Sequence, residues 1–158
     1  MKILVVYYSR SGVTKLAAQT ISKTIGADLE EIIDTQSRSG AVGFIKSCYQ
    51  VVLNQLTRIQ ELKADLAQYD LVVVGSPVWA GKPATPVTSF LKKYQSSIKS
   101  LAVFLTHGDK TNSYAGVVEF MEQAAGKKSV KTLSLSTDDV KKANDYNMNT
   151  FANELNKL

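Results

Sequence analysis

The opening residues, MKILVVYYSRSGVT (Met1–Thr14), decide the architecture. Ile3 to Tyr8 is an apolar run of strand length, and it empties into Ser9, Arg10, Ser11, Gly12, Val13 and Thr14 before a helical pattern begins. A strand that stops on hydroxyl residues and a glycine, then enters a helix, gathers unpaired N–H groups and O–H donors around one small concavity. Such a turn suits a phosphate, held by fixed dipoles with no lysine required, and Gly12 lets the backbone come close to the anion. A Ser/Thr-rich turn also serves as an ordinary helix cap. From this stretch alone both uses stay open.

Outward from the turn, Val13, Ala17, Ile21 and Ile25 recur in steps of four, an amphipathic helix that Gly26 can end. Asp28 to Asp34 mixes Leu29, Ile32 and Ile33 with Glu30 and Glu31, a short strand polar enough for a sheet edge. Thr35 to Gly43 is a polar loop, Ile45, Cys48, Val52 and Leu56 mark a second helix, and Arg58 to Tyr69 is a weakly patterned connector. Leu71 to Val74 is a buried strand ending at Gly75 and Ser76, followed by a loop from Pro77 through Val78, Trp79, Ala80, Gly81, Lys82 and Pro83 to Ala84. Thr85 is placed to cap the next helix and Pro86 to occupy its first turn, with Val87, Phe90, Leu91 and Tyr94 on the core face. Leu101 to Leu105 is again apolar and spills into Thr106, His107, Gly108, Asp109, Lys110, Thr111, Asn112 and Ser113. Val117, Phe120, Met121 and Ala124 give a fourth helix, Val130 to Ser136 a half-wet strand, and Asp138 to Leu158 a last helix with Met148, Phe151, Leu155 and Leu158 in helical spacing.

Strands alternating with helices predict an α/β, three-layer fold: a parallel sheet covered by helices on both faces. The first, third and fourth strands are continuously apolar and belong inside, while the mixed second and fifth belong at the edges. The predicted order is therefore 2-1-3-4-5. Its switch point lies between strands 1 and 3, where ligands bind beyond the carboxyl ends. Ser9 to Thr14 and Pro77 to Ala84 converge there, with Thr106 to Ser113 beside them.

The 158 residues suit one domain spanning 1–158. No apolar run approaches the ~20 residues of a membrane span, and the N-terminal run is too short and too β-branched for a signal peptide, so cytoplasmic residence without membrane insertion is expected. Cys48 is the only cysteine, which agrees with a reducing compartment and reads as a buried helical residue. The net charge of +5 comes from lysines scattered singly and in pairs, with no cluster to bind nucleic acid. One histidine, His107, excludes a multi-histidine metal site. There is no Gly-x-Ser-x-Gly elbow for a hydrolase and no Gly-x-Gly-x-x-Gly turn for a nicotinamide Rossmann site. A phosphoryl-accepting receiver domain needs carboxylates at the ends of strands 1 and 3, where this chain has Tyr7, Tyr8, Ser9 and Gly75, Ser76.

Taken together, Ser9-Arg10-Ser11-Gly12-Val13-Thr14, Gly75-Ser76-Pro77-Val78-Trp79-Ala80-Gly81 and Thr106-His107-Gly108-Asp109 resemble, in order and spacing, the flavodoxin family and its short flavodoxin-like branch. The resemblance covers essentially the whole chain. It implies the flavodoxin-like fold and a bound FMN, with phosphate on the first loop and the isoalloxazine ring between the second and third. Ser9, Ser11 and Thr14 would then offer hydroxyls, and Arg10, Gly12 and Val13 backbone N–H groups, with Arg10 either a counter-charge or simply solvated. Trp79 would lie against the ring or shield its dimethylbenzene edge, or else anchor its loop; the backbone from Val78 through Ala80 to Gly81 would meet the ring's polar atoms, with Pro77 also among the cofactor-binding residues. Gly81 is where a peptide would reorient on reduction. Thr106, His107, Gly108 and Asp109 would border the pyrimidine, although His107 also suits a helix cap. Two features depart from the family pattern: the chain is basic where many flavodoxins are acidic, and the third loop lacks a stacking aromatic unless Tyr114 serves. Lys82, Lys110 and His107 near the ring would favour its anionic reduced form.

The resemblance implies electron transfer through FMN to a redox partner protein or small acceptor. An FMN-dependent NAD(P)H:quinone-type oxidoreductase is the alternative, and a flavin-free binding module on the same fold is the third.

Overall fold

The computed structural model describes residues 1–35, 56–108, 114–142 and 146–158. Strand β1 (Ile3–Tyr7) leads into helix α1 (Val13–Ile25) and strand β2 (Asp28–Glu31). A 3-10 turn at Leu66–Gln68 precedes β3 (Leu71–Trp79), β4 (Lys82–Pro83) and α2 (Thr85–Tyr94). Strand β5 (Leu101–His107), α3 (Ala115–Ala125), β6 (Ser129–Ser136), α4 (Thr137–Lys141) and α5 (Tyr146–Leu155) complete the described elements.

Five strands pair in parallel in the order β2-β1-β3-β5-β6, and β4 folds back antiparallel on the end of β3. With that short hairpin set aside, this is the order predicted from burial. The strand period of two divides the core. Leu4, Val6, Val72, Val74, Val103 and Leu105 face one way, against Val87, Phe90 and Leu91 of α2 and Val117 and Met121 of α3. Ile3, Val5, Tyr7, Val73, Ala102 and Phe104 face the other, against Ala17, Ala18 and Ile21 of α1 and Met148, Phe151 and Leu155 of α5. At roughly 1.5–3 kcal/mol for each large apolar side chain buried, these two layers supply the main driving force for folding. The edge strands are wetter: Leu29 of β2 and Val130 of β6 are both exposed.

Several sequence expectations need correction. Strand β3 does not stop at Ser76 but continues through Trp79, because Val78 and Trp79 pair with Pro83 and Lys82 across a turn at Ala80 and Gly81. Both turn residues have positive φ, +45° and +74°, the sign that a two-residue type I′ hairpin loop demands. Thr85 does not cap α2. Ala84 occupies the cap position, its N–H donating to Ser76 Oγ at 3.0 Å, so the preceding strand fixes the helix start. The last helix is divided. Ser136 and Asp139 close a capping box on α4, and Lys142 is already extended, so the helical spacing of Met148, Phe151 and Leu155 belongs to α5 alone. Leu158 lies beyond that helix, 60% exposed. The expected second helix lies outside the described residues with Ile45, Cys48 and Val52; Leu56, at its end, is not helical and is 51% exposed. The connector from Arg58 carries an isolated antiparallel bridge between Asp34 and Ile59, and Glu30 accepts the Lys63 and Ala64 N–H groups.

Candidate functional site

The carboxyl ends of β1, β3 and β5 point to one end of the sheet, and the loops leaving them shape a concavity of about 190 Å³. Arg10, Ser11, Val13 and Thr14 line it from the first loop, Pro77, Val78 and Trp79 from the end of β3, and Thr106, His107 and Gly108 from the end of β5. Thr137, at the start of α4, completes the lining.

In the first loop Gly12 sits at φ +91°, and no side chain caps α1. Ser9 Oγ accepts the Gly12 N–H at 3.1 Å, a contact that holds the turn in shape and engages one N–H expected to face an anion. The next N–H groups have no carbonyl within the helix to bond. The first turn carries no acidic residue, so the positive end of the helix dipole is not neutralised from within. Thr14 is buried, and its Oγ1 lies 2.8 Å from the buried Thr106 Oγ1. That bond ties the first loop to the third. It also engages a hydroxyl expected to face the phosphate.

Trp79 is 8% exposed and meets the Tyr8 ring edge-on, with centroids 5.6 Å apart and planes at 87°. His107 Nε2 lies 2.9 Å from Ser134 Oγ on β6, and Thr137 Oγ1 donates to the His107 carbonyl at 3.2 Å. Its ring stacks on Tyr114 at 4.1 Å. His107 does not cap α3, whose cap position is Tyr114 with no side-chain bond. Lys82 is outside the lining, and its ammonium lies over the Phe120 ring at 5.8 Å. Ala80 and Gly81 sit exposed on the hairpin tip, also outside the lining. Asp109 and Lys110 lie outside the described residues. Beside the site, Tyr7 donates to Glu31 at 3.1 Å; burial first, then that carboxylate, push the phenol well above its ordinary range.

Residues 2–132 match the family model described as Flavodoxin. The chain belongs to the flavodoxin family. No curated protein matches it. Among solved structures it is similar to a flavoprotein from Lactobacillus acidophilus NCFM crystallised in complex with FMN, at 28% identity over 84% of this chain and 92% of that one, with a TM-score of 0.72. The apo form of the Lactobacillus acidophilus flavoprotein, solved by NMR, matches at 29% identity over 84% and 91%, TM-score 0.68. An archaeal flavodoxin matches at 19% over 99% and 97%, TM-score 0.61, a likeness of fold.

For this flavodoxin, the residues brought together suit a phosphorylated planar ligand. Arg10 and Ser11 line one part of the concavity beside the uncapped helix start, and Val78, Trp79 and Thr106 to Gly108, a mixture of apolar and polar groups, line the rest. A Cβ placed at Gly12 or Gly108 would meet no atom within 4 Å; Gly108 lines the concavity, whereas Ser9 and Gly12 lie outside its lining. Sequence reasoning missed Tyr8, Ser134 and Thr137. The last two lie at the carboxyl end of the fifth parallel strand, and extending the switch-point rule to that strand would have found them.

Proposed function

We propose that this flavodoxin binds FMN in the concavity and passes electrons through it to a redox partner protein or small acceptor, as one cytoplasmic domain over residues 1–158. The observation that carries this is the start of α1: a left-handed Gly12, no capping side chain and no first-turn acid, set beside Arg10 and Ser11. Family membership adds to it, as does the FMN in the Lactobacillus flavoprotein. Among the described residues no helix is long and apolar enough to cross a membrane.

Arg10, Ser11 and the first-turn N–H groups would hold the phosphate; Val78, Trp79, Thr106, His107 and Gly108 would hold the ring. FMN, when bound, supplies one- and two-electron chemistry, and the protein's part is to bind, orient and set the surrounding charge. Ser9 keeps the anion turn folded by accepting the Gly12 N–H. The Thr14–Thr106 bond fixes the spacing between the phosphate end and the ring end. Trp79, packed edge-on against Tyr8, would form one wall of the ring end.

The test is the visible absorption spectrum of protein freed of excess FMN. Flavin bands that co-elute with the protein and differ in shape from free FMN support the assignment. Their absence after incubation with FMN would overturn it. Steady-state turnover with NADPH and a quinone then separates a carrier, which shows almost none, from an NAD(P)H:quinone-type oxidoreductase.

A further inference from the structure

Two buried hydroxyls meet between the first loop and the end of β5, and together they carry one hydrogen more than their contact uses. Thr14 and Thr106 are 2% and 3% exposed, and both line the concavity. Their Oγ1 atoms lie 2.8 Å apart, where one O–H donates and the other oxygen accepts. Phe104 faces the α1 layer, so Thr106, two residues further along the strand, projects the same way and reaches the first turn of the helix. Further along α1, Thr20 and Thr24 donate to the carbonyls of Leu16 and Thr20 at 3.0 and 2.9 Å. The Thr14 hydroxyl has only Thr106 among the described residues. A buried donor left unspent is costly, and a ligand in the concavity is what can take the spare hydrogen.

The charge beside the pair decides which hydroxyl keeps that hydrogen. Thr14 stands in the first turn of α1 near Arg10 and Ser11, where the uncapped helix start favours an anion. A phosphate there repels the lone pairs of Thr14 and attracts its hydrogen. The pair then points one way, from Thr106 to Thr14 to the oxyanion, and each bond in such a chain polarises the next.

We infer that Thr106, at the end of β5, is a positioning residue for the phosphate: it donates to Thr14 Oγ1, and Thr14 donates to a phosphate oxygen. Thr106 then turns lone pairs and no hydrogen toward the rest of the concavity. The inference rests on the FMN reading above and adds to it a residue that acts on the anion from another loop, through Thr14.

The test compares FMN with riboflavin, which has the same ring and no phosphate, in binding titrations of the native protein, Thr14→Val, Thr106→Val and the double variant. Thr14→Val should weaken FMN by about ten-fold or more and riboflavin by less than about three-fold. Thr106→Val should weaken FMN by about three- to ten-fold and riboflavin by less than about two-fold, while Thr106→Ser stays within about two-fold of native for both. In the Thr14→Val background, Thr106→Val should change the FMN-to-riboflavin affinity ratio by less than about two-fold, because the path to the phosphate is already cut. The phosphorus NMR resonance of bound FMN should move in Thr106→Val and return to its native position in Thr106→Ser. Equal losses for the two ligands in Thr106→Val would overturn the inference, as would a ratio that Thr106→Val lowers as much without the Thr14 hydroxyl as with it. If Thr106→Val does not fold, Thr106→Ala is read against the same limits. If riboflavin binds too weakly to titrate, the phosphorus resonance decides, and an unmoved signal in the variant overturns the inference. FMN that does not bind the native protein refutes the cofactor itself; FMN that binds with a ratio indifferent to Thr106 refutes only the role of Thr106.

Discussion

Gly75 is the position in β3 where the sheet leaves least room for a side chain. It pairs with Tyr7 of β1 on one side and with Phe104 of β5 on the other, in the middle of the sheet. A Cβ built there would run into the Phe104 ring, nearest its Cζ, with Cε1 and Cε2 at 2.5 and 2.6 Å. Ordinary carbon contacts begin near ~3.5 Å, so the ring must retreat by about 1 Å or more, and Phe104 is fully buried in the layer with Val73, Met148 and Phe151. Overpacking a closed core of this kind costs about 1–3 kcal/mol, and the upper end is expected for Gly75→Ala because the obstacle is a rigid ring. Phe104→Leu alone should cost about 1–2 kcal/mol through lost burial and a partial cavity. In the double variant the smaller Leu vacates the space the new Cβ needs. The two losses should then fall short of their sum by at least about 1 kcal/mol, well outside the ~0.5 kcal/mol within which independent sites add. Urea unfolding of the four proteins, followed by far-UV circular dichroism, measures the cycle. Strict additivity would refute the reasoning, and so would a neutral Gly75→Ala, since either means the ring does not occupy the glycine's side-chain space.

Relief of positive φ makes Ala80→Gly stabilising by about 1 kcal/mol in urea unfolding, whereas Gly81→Ala, at φ +74°, costs about as much. Thr14→Val or Thr106→Val should each cost about 1–3 kcal/mol by stranding the other buried hydroxyl, while the double Val variant recovers most of the loss. Arg10→Glu should weaken FMN binding by about ten-fold or more in a titration at low salt, with the difference shrinking as salt rises. Burial would raise the Glu122 carboxyl, but hydrogen bonds from Lys128 and Ser129 outweigh it and hold the pKa down to about 2, from an ordinary 4.5. A folded pKa below the unfolded one stabilises above pH 4.5 and loses that contribution as pH falls toward 2. Discounted for solvent screening, the stability gap between native protein and Glu122→Gln should be about 1 kcal/mol at pH 6, should shrink as pH falls below 4.5, and should close only as pH drops through about 2.

The sheet order was legible because burial writes itself into composition. Leu71 to Val74 and Leu101 to Leu105 are apolar at every position, and only a strand covered on both faces tolerates that. Glu30 and Glu31 placed β2 at an edge for the converse reason. The end of β3 was not legible. Pro77, Gly81 and Pro83 are loop residues by propensity, yet Val78 and Trp79 still pair with Lys82 and Pro83, since Pro83 ends a two-residue edge strand where its missing N–H removes little. The division between α4 and α5 was hidden for a related reason. Its signal is the capping box of Ser136 and Asp139, which begins a helix but does not say where that helix stops.

At the site, the three loops were readable as a set, but the roles of individual side chains were not, because a hydroxyl or an aromatic can serve the fold and a ligand with the same chemistry. Ser9 and Thr14 carry oxygens suited to a phosphate, and each uses its oxygen within the protein, one to shape the Gly12 turn and one to bind Thr106. Trp79 is loop anchor and cavity wall at once, with Tyr8 behind it. What distinguishes ligand-facing groups is that the fold leaves them unspent. The first-turn N–H groups of α1 meet that criterion through helix geometry alone. A side chain meets it only through the three-dimensional placement of its neighbours, as the Tyr114–His107 stack shows: no spacing in the sequence announces that the third loop's nearest aromatic is already engaged. The proposed anion end of the site is therefore local to Ser9 to Thr14 in the sequence, and the character of the proposed ring end is not.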